Sequence, residues 1–310
     1  MKVLAIIFIT TAIVHCSTAL AKEKRVDEAD VMATSLKLNS DIANWVDRQA
    51  QKLDLALSGA RYTRKTDDSE ARFSQRVNWN EKEGVTLETD FDVQLALPNL
   101  EKKYKLMLSS YNENQTRRSA YSRFGSIEEE RSNYGADFAF LRKIGDFDVT
   151  FRPRLQFGSP FKTFYNLSFQ SEYKKNNSRF RTRFNFFADS DKGTGQFISL
   201  AFERFFATYW GDSIVLEEEY QDGGNVFSLL QGYSINRILT SRMTVAHSVV
   251  VSSDNEESNF RLKNLSFGPS FNHELYPGFF NYTLMFTESY DIEYEFRGNS
   301  ILSLIVEIIF

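Results

Sequence analysis

One cysteine, five prolines and three histidines in 310 residues exclude more chemistry than they allow. Cys16 stands in the apolar N-terminal stretch, so the chain beyond it has no disulfide and no thiolate chemistry. No Cys or His cluster has the spacing of a metal site, no glycine-rich phosphate loop stands ahead of a helix, and there is no nucleophile elbow. No metal and no cofactor is therefore expected. The acidic runs Glu128, Glu129, Glu130 and Glu217, Glu218, Glu219 read as solvated charge before they read as calcium ligands. A formal charge of −4 and a pI near 5.6 argue against a nucleic-acid partner. Past residue 21, no run approaches the roughly 18 apolar residues that a helix needs to cross a bilayer.

What the chain does have is 29 Phe and 14 Tyr, set in short alternating runs. A strand repeats every two residues, so this alternation gives it one dry and one wet face. Val85, Leu87, Phe91, Val93, Leu95 and Leu97 alternate with Thr86, Glu88, Asp90, Asp92, Gln94 and Ala96. Phe147, Val149, Phe151, Pro153, Leu155 and Phe157 do the same with Asp148, Thr150, Arg152, Arg154 and Gln156. A mean hydropathy of −0.38 is compatible with membrane strands, because half of each faces water. The pattern predicts strands near 70–80, 85–97, 103–112, 132–142, 146–157, 161–173, 178–189, 195–206, 213–221, 225–236, 241–252, 258–272, 278–290 and 298–310. That makes fourteen strands; twelve is the alternative, since alternation is ambiguous over Phe205 to Tyr220 and changes phase around Asn264.

Residues 300–310 run to the last position with Leu302, Leu304, Val306, Ile308 and Phe310 on one face, and Ser303 and Glu307 on the other. Such a strand needs a neighbour to close upon, and a barrel supplies one. The ending resembles that of bacterial, Gram-negative outer-membrane β-barrel proteins of the porin-like type, whose final strand ends in an aromatic residue, usually Phe. No subfamily motif accompanies it. The resemblance implies that the outer-membrane assembly machinery recognises Leu304, Val306, Ile308 and Phe310. It further implies periplasmic chaperones on the way and an outer wall in contact with lipid and lipopolysaccharide. At the other end, the apolar run from Val3 to Val14 and the small residues Ser17, Ala19 and Ala21 form a signal peptide over residues 1–21. Ile13, Val14 and His15 do not suit lipidation of Cys16. The expected fold class is all-β, an antiparallel transmembrane β-barrel in the outer membrane with both termini periplasmic. A soluble β-sandwich shares the alternation.

Three regions result: the signal peptide, a periplasmic leader over 22–59, and the barrel over 60–310. In the leader, Ile42, Val46, Ala50, Leu53 and Leu57 fall at helical spacing, with Asn39 or Ser40 as cap and Gly59 as stop. The amphipathic helix at about 40–58 is too small for a core of its own. Either it packs against the barrel as plug or rim, or it docks a periplasmic partner.

Function is read from the wet face. Pairing across the first hairpin sets Arg76 opposite Glu88 and Arg72 opposite Asp92. Arg152 and Arg154 share one strand, while Arg179, Arg181 and Arg183 lie on the next but one; together they form a basic ladder, with Glu88, Asp90 and Asp92 as acids elsewhere. Two outcomes stay open. The charges can select small polar or anionic solutes in a passive channel. Alternatively they pair across a narrow lumen and leave a non-conducting scaffold or surface receptor. A lipid-modifying hydrolase needs Ser and His together on the wall. His247, in phase with Met243, Val245, Val249 and Val251, points toward lipid and away from Ser248, and His273 belongs to a turn. No catalytic constellation is expected.

Overall fold

The structure, a computed structural model, describes residues 28–58, 69–97, 104–111, 133–157, 162–190, 193–255 and 259–310. The expected signal peptide and the long loop at 112–131 lie outside the described residues. The chain divides into two units, Met1–Ile42 and Ala43–Phe310. Helix α1 (Glu28–Ser58) runs through the division. It is followed by β1 (Glu70–Asn80), β2 (Gly84–Ala96), β3 (Tyr104–Tyr111), β4 (Asn133–Ile144), β5 (Phe147–Gln156), β6 (Lys162–Lys175) and β7 (Ser178–Asp189). Then come β8 (Gly193–Ala207), β9 (Trp210–Gln221), β10 (Val226–Thr240), β11 (Met243–Asp254), β12 (Arg261–Tyr276), β13 (Phe280–Asp291) and β14 (Gly298–Ile309).

Each strand pairs antiparallel with its chain neighbours, and β14 closes on β1, giving a barrel of fourteen strands. Of the two ambiguous stretches, Phe205 to Tyr220 holds a bulge at the end of β8, the turn 208–209 and β9, and the piece around Asn264 is an irregularity within β12. Register shifts between Phe205 and Ala207, and Lys263 is the extra residue where β12 steps against Ser252 and Ser253 of β11. A bulge adds one residue and reverses the phase of the alternation without ending the strand. At the first hairpin Arg76 faces Glu88 and Arg72 faces Asp92, the register that its alternation requires. Closure reaches the last residue: Phe310 N–H donates to Ala71 O at 2.7 Å and Ala71 N–H to Phe310 O at 3.1 Å.

The helix begins about one dozen residues before the expected start. Residues 28–39 contain neither Gly nor Pro to stop it, and Leu36, Lys37 and Leu38 are exposed, so no apolar stripe marks that part. Further along, Val46 and Ala50 are buried and Leu53 half-buried, while Asp54 is fully buried beside them. Trp45 is exposed.

At one end of the barrel, called here the turn end, strands are joined by the short connections 145–146, 176–177, 208–209, 241–242 and 277–279. The opposite, loop end carries 81–83, 222–225 and 292–297. Outward positions hold Ile214, Leu216, Val249, Leu284, Leu302 and Leu304, all exposed. Aromatic residues collect near both ends of this apolar wall: Tyr173, Phe206, Tyr209 and Trp210 toward the turns, Trp79, Phe157 and Tyr165 toward the loops. An exposed apolar band between two aromatic girdles is the outer surface of a transmembrane barrel, and the strands other than the eight-residue β3, 10 to 16 residues long at about 3.3 Å per residue, cover its thickness even when tilted.

Candidate functional site

Inward side chains of β5 to β12 enclose a cavity of about 1080 Å³ in the turn-end half of the lumen. Its basic side is built by β5 and β7, with β6 between them. The register sets Arg152 opposite Asn166 and Arg183 opposite Gln170, so two guanidinium groups flank a strip of neutral hydrogen-bonding residues. Each lies in the electrostatic field of the other. The remaining arginines of the ladder are occupied. Arg179 lies 3.8 Å from Glu172 and 3.6 Å from Glu203, and Arg181 pairs with Glu203. Arg154 donates to Asp137 at 3.0 Å, with both side chains at most 4% exposed. Among the described residues, neither Arg152 nor Arg183 has a carboxylate within 4.0 Å. Acids act on them at longer range, Glu217 on Arg183 and Asp92 and Asp137 on Arg152.

The facing wall is made of small hydroxyl side chains. Ser199, Ser213, Ser234 and Ser248 line it on four successive strands, and the hydroxyls of Ser213 and Ser234 lie 2.9 Å apart. Ser199 donates to Glu217 at 3.3 Å. Small residues leave room in a barrel whose larger side chains would otherwise meet.

Toward the loop end the inner wall of β6 to β8 is apolar. Phe164, Phe187 and Phe197 point inward and are buried, with the first two rings stacked at 6.3 Å. Phe187 lies against Gly195, where a Cβ would sit 2.2 Å from its ring, so only glycine fits opposite it. Arg154 belongs to this loop-end half, its guanidinium resting on Gly135, where a Cβ would meet Nε at 2.6 Å.

The candidate residues therefore separate. Arg152, Arg181 and Arg183 meet on the cavity wall, and Arg179 stands nearer the turns. Arg154 is removed from the solute-facing ladder by its burial against Asp137. Glu88, Asp90 and Asp92 point inward on β2 but do not line the cavity. Glu88 pairs with Arg76 at 3.2 Å, and Glu307 of the last strand pairs with Arg72 at 3.0 Å. Reading charges alone passed over Glu203 and the serines of the facing wall, although each occupies an inward position of its alternating strand. Of the acidic run, Glu217 and Glu219 are inward and buried, while Glu218 shares the outward face with Leu216. His247 is outward and exposed, with Ser248 on the opposite face. His273 is no turn cap; it sits on the outer wall of β12, its Nδ1 3.2 Å from the Tyr282 hydroxyl.

No family model matches the chain, and no curated protein does. Among solved structures, it is similar to the loop L8 deletion mutant of OmpT from Vibrio cholerae at 7% identity and a TM-score of 0.44, over 78% of this chain and 98% of that one. The outer membrane channel DcaP of Acinetobacter baumannii matches at 6% identity and a TM-score of 0.46, over 78% of this chain and 96% of that one. The porin NanC matches at 7% identity and a TM-score of 0.40, over 76% and 98%. These neighbours are outer-membrane barrels, the class that the final strand resembles. The assignment of the fold rests on the closed register of the fourteen strands.

Proposed function

We propose that the barrel lies in the outer membrane with its turn end toward the periplasm and acts as a passive channel for small polar solutes, preferring anions. One observation carries this reading: Arg152 and Arg183 face a cavity of about 1080 Å³ without a carboxylate within 4.0 Å among the described residues. Paired charges cancel over a short distance, whereas unpaired guanidinium groups on a low-dielectric wall attract anions into the lumen. The purified barrel in planar bilayers tests it. Replacing both Arg152 and Arg183 by Ala lowers the anion-to-cation permeability ratio by about threefold or more. An unchanged ratio removes the two arginines from selectivity.

The apolar patch at the loop end of β6 to β8 favours a second reading, a non-conducting scaffold or surface receptor, since Phe164, Phe187 and Phe197 offer a polar solute no hydrogen bond there. A barrel that stays silent even after deletion of residues 22–59 supports it. Neither reading calls for covalent catalysis, and His247 faces outward, opposite to the inward Ser248. Its partners are then lipid and lipopolysaccharide on the outer wall, the assembly machinery at β14, and a periplasmic protein if the exposed Trp45 face of α1 is used.

A further inference from the structure

A second polar group lies on the inner wall at the loop end of β12, β13 and β14, apart from the cavity. Ser266 faces Ser289, which faces Asn299, and one step nearer the loops Asn264 faces Asp291. Their exposures are 0% for Ser266, 1% for Ser289, 0% for Asn299, 2% for Asn264 and 7% for Asp291. Asn264 Nδ2 donates to Ser289 Oγ at 2.8 Å and to Asp291 Oδ2 at 3.1 Å. Glu293 N–H donates to Asp291 Oδ1 at 2.9 Å.

Two needs remain unmet. Asp291 carries a shielded negative charge, and among the described residues no cationic side chain comes within 4.0 Å of it. Lys263 is engaged by Asp254 at 3.3 Å and Arg297 by Glu295 at 2.9 Å. At the adjoining inward positions, Asn264 Oδ1, Ser266 Oγ and both amide atoms of Asn299 are buried without a hydrogen-bond partner among the described residues. Three of these four atoms are oxygens. A shielded carboxylate and several unsatisfied oxygens on one face are what a hard cation satisfies and what an apolar filling leaves unpaid.

We propose that this group binds one calcium ion. The two Asp291 oxygens, the hydroxyls of Ser266 and Ser289 and the amide oxygens of Asn264 and Asn299 supply six donors, within the range of about six to eight that calcium takes. Asn264 then turns its amide over, so that Oδ1 takes the place of Nδ2 beside Ser289 and Asp291. One carboxylate among neutral oxygens favours calcium over magnesium, which dehydrates reluctantly. None of these residues lines the cavity that holds Arg152 and Arg183. It also differs in kind from a site made of several acidic ligands, since no group of three or more His, Cys, Asp or Glu side chains converges among the described residues.

Calorimetric titration of the chelator-stripped barrel in detergent with CaCl₂, and separately with MgCl₂, tests the assignment. A single saturable calcium event is expected, weakened about tenfold or more by Asp291→Asn and strengthened by Asn299→Asp, which adds a charged ligand without changing the volume. Glu293→Gln, an exposed acid on the adjoining turn, leaves it unchanged. Folding is checked in each variant by heat-modifiable migration, and Asn299→Asp keeps the test open should Asp291→Asn not fold. Absence of saturable calcium binding, equal binding of magnesium, or calcium binding indifferent to both substitutions overturns the proposal and leaves ordered water as the occupant.

Discussion

Arg152 and Arg154 are two residues apart on one strand and one face, yet one lines a polar cavity and the other is nine-tenths buried or more. The difference comes from cross-strand neighbours: Arg154 meets Asp137, Gly135 and Phe164, which arrive from β4 and β6 only when the register is set. Alternation along a strand shows which face a side chain takes, and on that ground all five arginines were legible as inward. Depth within the lumen is not written in a single strand. Removing Arg154 strands the Asp137 carboxylate, so Arg154→Ala costs about 3 to 5 kcal/mol, while Arg154→Met with Asp137→Leu recovers most of it. Denaturant unfolding in lipid vesicles measures both. At the loop end outside the membrane, Tyr294 donates to Glu83, and Lys82 Nζ lies 4.1 Å from its ring centre and donates to Arg297 O at 3.0 Å. The hydrogen bond to Glu83, then burial, raises the phenol from its ordinary 10.0 to about 12. A raised value means that the protonated form is favoured by folding, so this contact contributes fully below pH 10 and is lost as pH rises through about 12. Absorbance titration of Tyr294→Phe should lack one late-titrating phenol; an identical curve contradicts the contact.

Strands were the most legible elements, because a half-lipid, half-water strand displays its period in every second residue. Their phase slips were legible too, though as ambiguity: the stretch after Phe205 and the piece at Lys263 break alternation because an extra residue is inserted, and both strands continue. The start of α1 was hidden for the opposite reason, since a helix with exposed Leu36, Lys37 and Leu38 has no stripe to read. The last strand joins its terminal residue to Ala71 by two backbone hydrogen bonds, so closure depends on the full length of β14. Deleting Phe310 or replacing it by Asp lowers the folded fraction, visible as loss of the heat-modified band from outer-membrane fractions. A normal yield would separate the terminal aromatic from assembly.

At the scale of the whole molecule, the outer wall and the lumen obey different rules. The wall has one solvent to satisfy and repeats the same apolar choice on every strand, which is why a barrel could be expected from sequence. The lumen is filled by side chains meeting from many strands, so the polar cavity of the turn-end half and the Phe cluster of β6 to β8 at the loop end emerge only on closure. Its serine wall carries no charge or aromatic signal, although it sets the room available. In the proposed channel, Arg152 and Arg183 give that room its preference for anions. The most direct measurement is the reversal potential of single barrels in a planar bilayer across a KCl gradient. Steady conductance with a reversal potential displaced toward chloride is the predicted result, and a silent bilayer, or displacement toward potassium, would contradict it.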